Sequence, residues 1–165
     1  MNRAIDREYL DRFEQAAQEA FGFLERDFNM VLYPDTPDER KRYWCSRYLH
    51  YRNDTTFVRI ELDDRDRAFN VLAGPLVDGR VPPYPIFLER EEEPVLWLPL
   101  WAILEAVEVA HPPFSFAEGQ RLDRELAAWA TALREHATAA LRGDFEDLAG
   151  AVRRVKQARR RAGTA

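Results

Sequence analysis

Cys45, the only cysteine, and the nearby His50 are residues that could act as a nucleophile and its general base. Such a dyad requires both side chains within hydrogen-bonding distance of each other. The two residues lie in an aromatic-rich segment, residues 42–52, that is typical of a β-strand. Five positions apart on a strand, they point to opposite faces and are separated by about 16 Å, at roughly 3.3 Å per residue. The spacing therefore argues against a thiol-dependent enzyme.

Metal and cofactor motifs are missing from the sequence. The three histidines, His50, His111 and His136, lack the paired spacing of a metal site, and one cysteine cannot supply a zinc cluster. The seven glycines form neither of the common phosphate-binding loop motifs. We predict no metal and no cofactor, and we favour a protein that is not an enzyme.

Two acidic clusters and two nearby tryptophans are the more suggestive features. Complementary charge accelerates association with a basic protein, and tryptophans often anchor interfaces. We therefore interpret these residues as a candidate surface for a basic partner protein, with solvated loops and core tryptophans as the alternative. The residues of this candidate surface are Glu89, Glu91, Glu92, Glu93, Asp63, Asp64, Trp97 and Trp101.

The hydrophobic pattern predicts an α+β fold. Apolar residues recur every three or four positions over residues 6–28, which indicates an amphipathic helix. Residues 42–76 alternate between apolar and polar side chains and are interrupted by short turns, which predicts an antiparallel meander of three to five strands. Helical spacing returns after residue 99 and predicts two or three C-terminal helices packed on the sheet. We predict a single domain over residues 1–158 and a frayed basic tail over residues 159–165.

The proline-rich segment, residues 81–96, is typical of an edge strand or an irregular loop. Pro99 suits the first turn of a short helix.

The predicted sheet offers a second candidate site, assembled from residues distant in sequence. Such a site could bind a small ligand or catalyse a reaction without leaving any motif. Its candidate residues are Arg47, His50, Arg59 and Glu61.

Charge is unevenly distributed along the chain. The formal net charge is −5, and six of the 24 basic residues but none of the 29 acidic ones lie after Ala151. The basic end permits weak contact with nucleic acid, while the acidic remainder opposes a duplex lying across it. We therefore expect nucleic acid to be a poor partner.

The chain shows no signal-peptide pattern, and its longest apolar run, residues 94–104, is shorter than the roughly 20 residues that span a bilayer. All but two of the basic residues are arginines, as in proteins encoded by GC-rich bacterial genomes. These features predict a cytoplasmic bacterial protein that does not bind membranes.

Two local sequences accompany this order of elements: FGFLERDF at residues 21–28 and LRGDFEDL at residues 141–148. The order of elements, with the helix-Gly-Asp-helix junction at residues 141–144 as its local match, resembles that of small bacterial proteins, some of which are similar to the immunity proteins encoded beside polymorphic toxins. The resemblance implies a non-enzymatic cytoplasmic inhibitor that binds its partner through surface acids and aromatic residues. It does not specify which residues make the contact.

Overall fold

The protein, as a computed structural model, has an antiparallel sheet with helices before and after it in the chain. The structure describes residues 7–33, 46–63, 68–83, 95–112 and 120–163. Its helices are α1 (Arg7–Phe21), α2 (Phe23–Phe28), α3 (Leu100–Ala106), α4 (Gln120–His136), α5 (Thr138–Leu141) and α6 (Glu146–Gly163). Its strands are β1 (Val31–Tyr33), β2 (Ser46–Arg52), β3 (Thr56–Asp63), β4 (Ala68–Pro75) and β5 (Leu98–Pro99).

The five strands form one sheet in the order β1-β2-β3-β4-β5, and every neighbouring pair is antiparallel. The connections between β2 and β3, residues 53–55, and between β3 and β4, residues 64–67, allow only antiparallel pairing, because a parallel crossover needs a dozen or more residues. The α+β prediction with an antiparallel meander is thus confirmed.

Alternation along the strands divides the sheet into two faces. Leu49, Ile60 and Val71 occupy one row of paired positions, and all three are buried in the main core. The helices pack on this face, which we call the helix face. Tyr51 lies on it at 1 % exposure, where burial and the charge of Glu25 raise its pKa to about 12.

The predicted N-terminal helix is divided at Gly22, after which α2 begins. Asn29 ends α2 in the left-handed conformation, with φ of 52°, and Met30 N–H donates to the carbonyl of Leu24. Asparagine tolerates this conformation better than most residues. The reversal directs the chain into β1 at the edge of the sheet.

The C-terminal helices cover the remainder of the helix face. Gly143 has φ of 91° and ends α5, and its amide donates to the carbonyl of Ala140. Only glycine adopts that conformation at no steric cost. Helix α6 continues to Gly163 with Val152 fully buried, so residues 159–163, which we predicted to fray, belong to a helix that packs on α3. None of the described helices has the length and apolar character needed to cross a membrane.

Candidate functional site

The second face of the sheet, opposite the helix face, carries a group of polar and aromatic side chains. Register places His50 beside Arg59 on neighbouring strands. The next row contains Tyr48, Glu61 and Asn70 from three strands. Since paired residues of antiparallel strands share a face, these five side chains project to the same side. We call this group, together with Trp97, the polar cluster.

Arg59 is at the centre of the polar cluster. Its Nε lies 2.8 Å from Glu61 Oε2, and its guanidinium carbon lies 4.1 Å from the centre of the Tyr48 ring. The Trp97 ring centre is 5.8 Å from the same carbon, and the rings of Tyr48 and His50 are 5.1 Å apart. Arg59 is therefore held by one carboxylate and two aromatic rings.

Burial distinguishes this group from an open binding site. Tyr48, His50 and Arg59 are 5 %, 4 % and 3 % exposed. A buried charge is costly unless a partner compensates it, and Glu61 supplies the opposite charge here. This ion pair fixes the orientation of the side chains around Arg59 on the second face. Because Tyr48, His50 and Arg59 are almost inaccessible to solvent, a large partner could not contact them directly.

The structure brings together three of the four residues of the predicted sheet site. His50, Arg59 and Glu61 belong to the polar cluster. Arg47 is paired in register with Leu62 and lies on the helix face, 3.6 Å from Asp11 Oδ1 and 3.9 Å from Glu14 Oε2. Grouping Arg47 with the other three was wrong, because its odd spacing from His50 along β2 puts it on the opposite face.

Both tryptophans of the predicted partner surface pack against the chain itself. Trp97 is 4 % exposed, contacts the Phe57 ring at 4.5 Å between centres, and donates a hydrogen bond to the Pro83 carbonyl at 3.2 Å. Trp101 is half-buried against the main core, with the Arg159 guanidinium carbon 4.2 Å above its ring. Neither ring is presented as an open anchor.

The acidic residues of that predicted surface fall largely outside the described residues. Glu89, Glu91, Glu92, Glu93 and Asp64 all do so. The backbone of Asp63 ends β3, where it is in register with Ser46 and Ala68.

The basic C-terminal residues contact their own domain. Lys156 Nζ donates to the Trp97 carbonyl at 3.3 Å. Arg159 forms an ion pair with Glu105 of α3, with Nε 3.1 Å from Oε2. These contacts attach α6 to the segment that forms β5 and α3.

The most exposed apolar surface within the described residues lies where β1 begins and β4 ends. Val31, Tyr33 and Val77 are 64 %, 37 % and 43 % exposed. Arg52 lies beside them, with its guanidinium carbon 3.7 Å from the centre of the Tyr33 ring. We call these residues, together with Leu76, the open end of the sheet. The other large hydrophobic residue that is exposed among the described residues, Val107, follows α3.

Two concavities border the open end. One has a volume of about 760 Å³ and includes Phe28, Val31, Tyr33, Arg52 and Leu76 in its lining. The other has a volume of about 500 Å³ and lies between the segment 77–83 and Leu96. Apolar concave surfaces with a few polar groups are the usual form of binding sites.

Hydrogen bonds in two turns fix the shape of this surface. Asn53 Oδ1 accepts the amides of Thr55 and Thr56, while its Nδ2 donates to the Phe28 carbonyl. Val77 and Arg80 exchange two backbone hydrogen bonds across Asp78 and Gly79, which both have positive φ. The Asp-Gly sequence signals this tight turn, but the sequence pattern did not identify the apolar residues around it as a site.

Within the part of the chain that the structure describes, no group of three or more histidine, cysteine, aspartate or glutamate side chains is arranged to hold a metal ion. The side chains that line the larger concavity at the open end offer apolar contact and hydrogen bonding, the latter from Arg52, Asn53 and Thr55 among others.

Comparisons with known proteins give no match: no protein-family model, no curated protein and no solved structure is significantly similar to this chain.

Proposed function

We propose that this chain is a non-enzymatic protein-binding domain that contacts its partner through the open end of the sheet. The supporting observation is the concentration there of exposed Val31, Tyr33 and Val77 around two concavities. Clustered exposed apolar residues often mark interaction surfaces, and aromatic residues and arginine are enriched in interfaces. Arg52, which lies over the Tyr33 ring, places an arginine and an aromatic residue together on this surface.

Rigidity favours this surface as a binding site. The bonds made by Asn53 and by the Val77–Arg80 turn hold its backbone in one shape. A preorganised surface loses less conformational entropy when it binds. The partner can therefore gain affinity from a small apolar area.

The acidic segment is connected to this surface through the chain. Glu89, Glu91, Glu92 and Glu93 lie between Pro83 and Leu96, and these two residues line the smaller concavity. We propose that the partner has a basic surface, whose charge the glutamates complement and whose apolar residues contact the open end. An immunity-type inhibitor, which blocks a basic protein by binding it, is the specific form of this proposal.

Two alternative functions have weaker support. The polar cluster could belong to a ligand site or an active site, but Tyr48, His50 and Arg59 are almost fully buried. The basic helix α6 could bind nucleic acid, but Lys156 and Arg159 contact the domain itself.

An affinity capture from the host lysate tests the proposal with two variants. One carries Val31→Ser and Val77→Ser, and the other carries lysine at Glu91, Glu92 and Glu93. We expect the wild-type protein to retain a stoichiometric protein partner and both variants to lose most of it. The acidic variant should lose less at high salt, because salt screens the charge contribution.

A matched charge-reversed variant serves as the control. It carries lysine at Glu8, Glu19 and Glu108, three exposed acids elsewhere on the domain. This control should retain the partner. Equal retention by all variants at low and high salt would contradict the proposed surface, and capture of nucleic acid in place of a protein would contradict the proposed function.

A further inference from the structure

Arg52 differs from the arginines that join elements of the fold. Arg12 pairs with Asp123 at 3.0 Å, and Arg134 pairs with Asp27 at 2.9 Å. Arg52 is half-buried, and no carboxylate among the described residues lies within ion-pair distance of it. Its guanidinium carbon instead lies over Tyr33. A cation is therefore held at the open end without a neutralising acid from the described chain.

Stacking leaves the hydrogen-bonding edge of a guanidinium available. The guanidinium carbon of Arg52 lies over the Tyr33 ring, and a guanidinium that contacts a ring through its face keeps the N–H groups of its plane able to donate. The two residues are diagonal neighbours across β1 and β2, so the sheet itself fixes the stack. An arginine held in this way is suited to bidentate recognition of a carboxylate.

The larger concavity adds an apolar environment to this cation. Phe28, Val31 and Leu76 line it beside Arg52, and its volume of about 760 Å³ falls within the usual range for small-molecule sites, about 300–1,000 Å³. Among the described residues that line it, Asp54 is the only acid, and it is exposed. The lining therefore combines one oriented cation with an apolar part, and its other polar side chains include those of Asn29, Asn53, Asp54 and Thr55.

We infer that this concavity binds a small organic carboxylate with an apolar body. Arg52 donates two hydrogen bonds to the carboxylate oxygens, and the apolar body packs against Phe28, Val31 and Leu76. This inference goes beyond the proposed function, since it requires no protein partner. A bound acid would also change the surface that a partner meets at the open end.

A nuclear magnetic resonance titration of the full chain tests the inference, with phenylacetate as the probe and phenylacetamide as its neutral comparator. We expect phenylacetate to cause saturable shifts in the backbone amides of Asn53, Thr55 and Gly79. The amide should bind about tenfold more weakly, because it cannot form the charge-assisted pair with Arg52. This comparison uses the unaltered protein and so does not depend on the folding of a variant.

Three variants locate the interaction. Arg52→Gln should weaken phenylacetate binding about tenfold, while Arg80→Gln, which removes a nearby exposed arginine, should leave it unchanged. Asp54→Asn should strengthen binding by removing the negative charge of Asp54 from the lining. Equal affinity for the acid and the amide, unchanged binding in Arg52→Gln, or no saturable shift would overturn the inference. None of these results depends on whether a protein partner exists.

Discussion

Arg59 shows how a single residue can stabilise the second face of the sheet. Its side chain is 4 % exposed, and that of Glu61 is 17 % exposed. Removing one partner from a buried ion pair leaves the other charge without compensation, at a cost of about 3–5 kcal/mol. The polar cluster is therefore expected to contribute strongly to stability, whether or not it also binds a ligand.

Glu61→Gln should lower the free energy of unfolding by about 3 kcal/mol, the lower end of that range, because Glu61 retains some exposure. Urea denaturation measures this change. Asp123→Asn is the matched control, because Arg12 and Asp123 form a pair at 3.0 Å with both side chains about half exposed. The control should cost at most about 1 kcal/mol. If the two variants lose the same free energy of unfolding, burial does not increase the contribution of the Arg59–Glu61 ion pair to stability.

At the scale of elements, Gly74 determines how closely the chain can cover β4. A Cβ at this position would overlap the carbonyl oxygen of Leu96 and lie 2.7 Å from Phe57 Cε1. Leu96 precedes Trp97, which packs on Phe57 and Leu72 in a small cluster on the second face. Pro75 ends β4, and the close backbone approach explains the glycine that precedes it.

Gly74→Ala should destabilise the protein by about 3 kcal/mol or more, since the overlapping atoms belong to backbone and to a buried ring. Gly150→Ala is the control. Gly150 lies inside α6, where an added Cβ meets only the end of the Arg154 side chain at 3.7 Å. Alanine there should stabilise the helix by up to about 1 kcal/mol. If Gly74→Ala has the same midpoint as wild type in urea denaturation, the backbone of Leu96 does not lie as close to Gly74 as the structure places it.

At the scale of the whole molecule, α6 joins the basic end of the chain to the acidic remainder. Val152 is fully buried, and the contacts of Lys156 and Arg159 reach the segment between Trp97 and Glu105. The charge asymmetry seen in the sequence is thus partly compensated inside the domain. A truncation after Ala151, inside α6, is consequently a test of stability rather than a clean test of nucleic-acid binding.

Deleting residues 152–165 should lower the midpoint of thermal unfolding markedly, because it removes Val152 and uncovers α3. Arg154→Gln is the control for charge alone, since Arg154 is exposed. It should change stability by no more than about 0.5 kcal/mol. A truncated protein with an unchanged midpoint would mean that the part of α6 from Val152 onward does not stabilise the fold.

Periodicity predicted most of the elements because each one buries a single face. The alternation of Val58, Arg59 and Ile60 predicted which side chains of β3 lie on each face of the sheet. Pro99 also indicated the start of a short helix, and α3 begins at the next residue. Helix ends were harder to predict. The break at Gly22 and the continuation of α6 to Gly163 depend on packing against neighbouring elements, and helical propensity alone is a weak guide to such boundaries.

The sequence by itself determined the fold class and which side chains share a face, because burial imposes a fixed period on each element. Only the tertiary structure decided which residues of different elements meet. Tyr33 lies beneath Arg52 because β1 and β2 pair in one register, and Leu96 covers Gly74 because the chain returns to the second face. The register of two strands and the path by which residues 95–97 come back over β4 both depend on many contacts between residues distant in sequence. No local sequence pattern therefore encodes the open end of the sheet.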